Sequence, residues 1–134
     1  MTKTILNPSS LAKPVGYSNG ILTEGGRLLF LAGQTGMDAT GKIGNPFDLI
    51  DQFQQTLENL KVVVTDAGGA MTDIVKLTIY VTDKHAYYVQ RERLGEVYRA
   101  YFGKYFPAMT LIEVKSLYDA NAMIEIEGMA VLGS

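Results

Sequence analysis

The spacing of apolar residues changes partway along the chain, and this change constrains the fold more than any other feature. Phe47, Ile50, Phe53, Leu57, Leu60, Val63, Val64 and Ala67 recur three or four positions apart, as one face of a helix demands. From Ile74 to Val81 the period drops to two. Val75, Leu77, Ile79 and Val81 take one side of a strand, and Ile74, Lys76, Thr78 and Tyr80 take the other. A striped helix followed at once by an alternating strand buries its apolar side only by lying on a sheet. The helix start is read at Asn45-Pro46, with asparagine as cap, proline at the first helical position and Asp48 in the first turn. Gly68-Gly69 ends it.

Lys3 to Leu6 reads as a short strand, followed by a Pro/Ser/Gly-rich loop through Gly16. Tyr17 to Leu22 and Leu28 to Ala32 read as a hairpin, because Gly25 and Gly26 tolerate the positive backbone angles of a tight turn. A second helix is expected from Lys84 to Phe102, with Tyr88, Leu94, Val97, Tyr98 and Tyr101 along a stripe and Gly103 as its stop. Two final strands run from Ala108 to Val114 and from Ala122 to Val131. The 134 residues carry no repeat and no linker-like segment, so one two-layer α+β domain over 1–134 is expected.

Helices on one face of a sheet leave its other face bare. That face is expected to carry Ile74, Tyr80, Met123 and Met129, more apolar surface than a monomer leaves in water. The last strand sends Ile124 and Ile126 one way, while Glu125 and Glu127 point the other, roughly 7 Å apart. Two readings follow. The acids serve a pocket between subunits, or the strand is an edge whose acids sit in water and deter unwanted pairing. Alternation alone leaves both open.

Composition narrows the chemistry. There is no cysteine and only one histidine, His85, so neither a disulfide framework nor a zinc site is expected. The net charge is −2, and the basic residues are scattered apart from Arg91 and Arg93, which argues against nucleic acid as a partner. No apolar run in the first thirty residues has signal-peptide length, and nothing approaches a membrane span, so a cytoplasmic protein is the expectation.

Seven pieces then appear in order: Val15-Gly16-Tyr17-Ser18, Ala32-Gly33-Gln34, Thr56-Leu57-Glu58-Asn59-Leu60-Lys61, Asp73-Ile74-Val75-Lys76, Tyr98-Arg99-Ala100-Tyr101-Phe102, Phe106-Pro107-Ala108 and Ile124-Glu125-Ile126-Glu127. Together the pieces resemble the RidA/YjgF family of reactive-intermediate deaminases, from about Lys13 to Val131. The resemblance implies a chorismate-mutase-like fold, a two-layer α+β sandwich with a mixed six-stranded sheet and two helices on one face. It also implies homotrimers with ligand clefts between subunits. The implied activity is cofactor-free hydrolysis of enamines and imines to a 2-oxo acid and ammonia. In the archetype, an arginine of a Pro-Ala-Arg motif holds the substrate carboxylate, and the first glutamate of Ile-Glu-Ile-Glu positions the attacking water.

By that resemblance Glu125 is the catalytic residue. Amid apolar neighbours its charged form is poorly solvated, which suits a proton-accepting role. Tyr17 and Gly33 match the family pattern, whereas Ala32 replaces the usual serine. The arginine is missing: the chain reads Pro107-Ala108-Met109-Thr110-Leu111, so Met109 stands where the cation belongs. Losing the charged partner of a desolvated pair costs roughly 2–5 kcal/mol. At about 1.4 kcal/mol per tenfold, carboxylate affinity falls at least about 30-fold. The candidate site is therefore Glu125 with Tyr17, Ala32, Gly33, Met109, Thr110 and Leu111. Arg91 and Arg93, in a stretch about four residues longer than the archetype's, are candidate replacement cations or else part of an ordinary solvated helix face. The expected activity is hydrolysis of a small enamine, imine or related compound, weak on archetypal 2-imino acids. The alternative is a trimer that binds a metabolite without turning it over. RNA cleavage, a third reading, is opposed by the acidic balance.

Overall fold

The computed structural model describes residues 1–133. Among the described residues, six strands, three α-helices and one 3-10 turn follow one another. Strands β1 (Thr2–Leu6) and β2 (Gly20–Glu24) form an antiparallel ribbon of their own. Strands β3 (Arg27–Gln34), β4 (Ile74–Val81), β5 (Ala108–Glu113) and β6 (Ile124–Leu132) form a mixed sheet in the order β3-β6-β4-β5. The α+β class with a mixed sheet is thus as expected, with its six strands divided between sheets of two and four. The expected hairpin is also corrected. Gly25 and Gly26 do adopt φ of 73° and 85°, but the turn throws β2 onto β1 and β3 onto β6, so the two strands do not pair with each other.

Helix α1 spans Leu49–Asp66. Its cap is Asp48, whose side chain accepts the Asp51 N–H, three residues later than the sequence suggested. Asn45 instead builds the preceding turn by accepting the Phe47 N–H, and Phe47 stands 89% exposed, off the apolar stripe. Phe53, Leu57, Leu60 and Val64 are almost fully buried against the sheet. Each such side chain is worth roughly 1.5–3 kcal/mol of burial. Gly68, at φ 86°, closes the helix as its N–H bonds the Thr65 carbonyl.

The polar residues of α1 hold two loops. Gln52 is fully buried; its amide donates to the carbonyls of Asn45 and Asn121 and accepts the Met123 N–H. Asn59 donates to the carbonyls of Thr35 and Met37. A side chain on Gly36 would press on the Gln52 backbone, so the loop after β3 lies directly on the helix. A buried amide paired as fully as that of Gln52 rigidifies the core instead of straining it.

The helix expected over Lys84 to Phe102 is two. Helix α2 (Lys84–Val89) starts from the Asp83 side chain, and α3 (Arg91–Phe102) begins after Gln90, whose φ −104° and ψ 13° break the run. Tyr87 anchors α2 by meeting Phe53 edge-on, while Leu94, Tyr98 and Phe102 of α3 enter the core. Glu113 accepts the Lys84 N–H, a structural role at the start of α2. These helices supply the crossover that parallel pairing of β4 with β5 requires.

One residue changes faces. The pairing of β4 with β6 slips between Ile74 and Lys76, so Val75 is bulged and Ile74 turns into the core with no exposed surface. Ile74 therefore does not belong to the bare face as expected. Two residues of β3 take its place there: Leu28 is 64% exposed and Phe30 69%, and Phe30 lies directly opposite Met129.

Candidate functional site

A cleft of about 650 Å³ lies between α3 and the helix-facing side of the sheet, at its β5 edge. Leu77 and Ile79 of β4, Ile126 of β6, and Met109 and Leu111 of β5 form its floor, with Phe53, Leu57, Leu94 and Tyr98 behind them. Met109 pairs with Leu77 and Leu111 with Ile79, and residues paired across a ladder share a face. Tyr17 reaches the cleft because its neighbour Ser18 is tied to the start of β5, through its N–H to the Pro107 carbonyl and its hydroxyl to the Phe106 carbonyl.

The rim carries two guanidinium groups. Arg91 and Arg99 both line the cleft, with Gly95 between them. Their spacing of four and eight residues puts all three on one line along α3. Glycine inside a helix costs about 1 kcal/mol relative to alanine, and here it leaves room, since a Cβ at Gly95 would lie 3.2 Å from Nη1 of Arg99. Arg91 donates to the Tyr88 carbonyl at 2.9 Å, and its guanidinium lies 4.2 Å over the Tyr88 ring. Arg93, two residues on and turned about 200° around the axis, is exposed and does not line the cleft. Arg99 was missed in the sequence because it sits inside a recognition motif; the i, i+4, i+8 series with a central glycine was the available signal.

Glu125 is elsewhere. It lies on the sheet face turned away from the helices, partly exposed, paired with Tyr80 across the ladder. Glu127, one step along the same face, accepts a hydrogen bond from the Tyr80 hydroxyl at 3.0 Å, and this bond above all raises the phenol's pKa. Thr110 belongs to this face too, where it accepts a bond from Lys76. Gly33 is needed beside Glu125, because a Cβ there would overlap the carboxylate. Ala32 is the exposed residue preceding it in β3.

The expected residues thus fall into two groups. Tyr17, Met109, Leu111 and Arg91 gather in the cleft, whereas Glu125, Gly33 and Thr110 lie across the sheet from it. No single chain brings Glu125 to Met109. His85 is exposed beside Tyr88 in a separate depression, and among the described residues no group of three or more His, Cys, Asp or Glu is placed to hold a metal. No described helix is long and apolar enough to cross a membrane.

Known proteins resemble this chain in sequence and fold. The family model described as Endoribonuclease L-PSP matches residues 8–132. A RutC family protein of Pyrococcus horikoshii is 37% identical over 96% of this chain and 97% of its own. A 2-iminobutanoate/2-iminopropanoate deaminase of Capra hircus is 29% identical over 99% of this chain and 93% of its own. The crystal structure of a protein of the conserved Rid family from Yersinia pestis superposes with a TM-score of 0.87 at 33% identity, covering 98% of this chain and all of that one. With a match along nearly its whole length in sequence and in fold, the chain belongs to the Endoribonuclease L-PSP family, the RidA/YjgF proteins.

Proposed function

We propose that the protein is a cofactor-free hydrolase of enamines or imines, working as a homotrimer in clefts between subunits in the cytoplasm. The observation that carries this reading is the Glu125 carboxylate packed against bare Gly33, on a sheet face that also exposes Phe30, Leu28 and Met129. A face that apolar is stable when another copy covers it. The covering copy receives a carboxylate at its surface, and the Met109 cleft of that copy lacks one. Glu125 of one protomer then completes the cleft of the next.

Chemically, water adds to the C=N carbon while Glu125 accepts its proton. The proton passes to nitrogen, and collapse of the carbinolamine expels ammonia and leaves a carbonyl product. Positioned proton transfer of this kind contributes about 10²–10⁴-fold in rate. Relatives named as 2-iminobutanoate/2-iminopropanoate deaminases support the reaction class. Met109, apolar and without a donor, supports weak turnover of those small acids by this chain. The same replacement favours a second reading, in which the trimer binds a metabolite without converting it. Ribonuclease action is not favoured, given a net charge of −2.

The test is to release 2-iminobutanoate in situ and follow semicarbazone formation with and without the protein. Hydrolysis is expected to be slow, to vanish in Glu125→Gln, and to rise in Met109→Arg. Full activity in Glu125→Gln removes Glu125 from the mechanism. A complete absence of hydrolysis across several imines leaves the binding protein.

A further inference from the structure

The cleft holds more than the site's expected residues. Its floor is apolar and its rim carries Arg91 and Arg99, yet among the described residues lining it there is no carboxylate to neutralise them. Two cations facing an apolar recess with no acid from their own chain suit a ligand that brings the negative charge itself.

The local geometry is specific. Helical side chains lean toward the N-terminus, and Arg99 does so, its Nη1 coming within 3.2 Å of where a Gly95 Cβ would be. A glycine in the middle of a twelve-residue helix weakens that helix, and here it seats a guanidinium over the mouth of the cleft. Arg91 lies eight residues earlier, roughly 12 Å along the axis. It is steadied by stacking on Tyr88 and by one hydrogen bond to the Tyr88 carbonyl. A guanidinium has five N–H donors, so that bond uses only a fraction of them. About 650 Å³ is also far more room than a four-carbon imino acid fills.

We propose that Arg99, seated over Gly95, is the anion anchor of this cleft, with Arg91 adding a second positive charge farther along the rim, and that its ligand is a carboxylate with an aromatic or branched-alkyl body. The apolar body lies against Met109, Leu111 and Tyr98 while the carboxylate takes paired hydrogen bonds at the rim. As a substrate, which rests on the hydrolase reading above, this is a 2-imino acid with a bulky apolar side chain. On this view the anchor lies on the helix, while the β5 position it replaces has become part of the apolar floor.

The test measures equilibrium binding of 4-phenylbutanoate and its neutral analogue 4-phenylbutan-1-ol to the full-length protein by calorimetry. The acid is expected to bind at least about tenfold tighter than the alcohol, an advantage that shrinks with added salt. Arg99→Gln should remove about tenfold of acid binding and leave the alcohol unchanged, whereas Arg93→Gln on the far side of the helix should change neither. Gly95→Ala should raise the melting temperature yet weaken acid binding, a split that a purely structural glycine does not produce. Equal binding of acid and alcohol overturns the proposal. So does an Arg99→Gln protein that falls into smaller species with acid affinity intact, since Arg99 then serves the subunit contact. Imine turnover is read separately, comparing 2-imino-3-phenylpropanoate with 2-iminobutanoate released in situ. Acid binding without turnover of either imine removes the hydrolase and keeps the anchor; turnover of both without acid binding does the reverse.

Discussion

Ile126 and Glu127 are neighbours on β6, yet the first has no exposed surface and the second stands open to solvent. The contrast extends across the sheet. On the helix-covered side, Leu77, Ile79, Ile124 and Ile126 are closed over by α1 and α3 of the same chain, apart from the cleft at the β5 edge. On the other side, Phe30, Leu28 and Met129 are exposed on the face that also carries Glu125, Glu127 and Tyr80. One face completes itself, and on the proposed reading a second copy covers the other. The site is divided along the same line, with its apolar and cationic half on the covered side and its acid on the open side.

Placing a charge on the open face should break this contrast most severely. Phe30→Glu removes roughly 1.5–3 kcal/mol of aromatic burial per protomer and adds a desolvated charge worth several kcal/mol more. Sedimentation should show single chains where the unsubstituted protein is expected to run as a trimer, with the helical circular dichroism retained. A trimer that survives the substitution means the open face is not the subunit contact. Ile126→Ala, on the covered face, should act differently. It should cost about 2–5 kcal/mol in denaturant unfolding of the chain itself, because the packed core cannot close fully over the cavity.

Gly33→Ala sharpens the comparison at the acid. The added methyl overlaps the Glu125 carboxylate, which has to move, so imine hydrolysis should fall by about tenfold or more for a shift on the order of an ångström. The unfolding free energy should change by less than about 1 kcal/mol, as for an exposed position. Equal losses in rate and stability would make Gly33 a structural residue only.

The smallest effect concerns the covered side's tyrosines. Burial pushes the Tyr105 phenol up to about 12, with the nearby Asp73 charge adding to it. Burial also raises Tyr98, whose hydroxyl bonds the Tyr105 carbonyl. A phenol held neutral in the folded chain ionises first in the unfolded one, near pH 10. Its stabilisation is complete below that pH and is lost as pH climbs toward 12. Melting temperature should therefore fall steadily over that window, and Tyr105→Phe should flatten the decline while lowering the plateau, because the bond from the Tyr105 hydroxyl to the Ile74 carbonyl is lost.

Much of the fold was legible because it rests on local periods. The α1 stripe, the β4 alternation and the opposed directions of Ile126 and Glu127 all follow from helix and strand geometry. Three features were not. Ile74 enters the core because β4 slips against Ala130 and Met129, a register set by a strand some fifty residues away. Gln90 breaks the second helix although its neighbours fit a continuous stripe, and Tyr87 on α2 packs instead against Phe53 of α1. Arg99 and Gly95 read as ordinary helix residues until α3 is laid over Met109 and Leu111.

By itself the amino-acid sequence determined which side chains share a face, since the repeat of a helix or a strand is a property of the local backbone. Which faces meet was decided only by the tertiary structure. That choice put Arg91 and Arg99 in the wall of the cleft that Met109 lines and left Glu125 across the sheet. Packing partners lie far apart in the chain, and no local spacing records the distance between them.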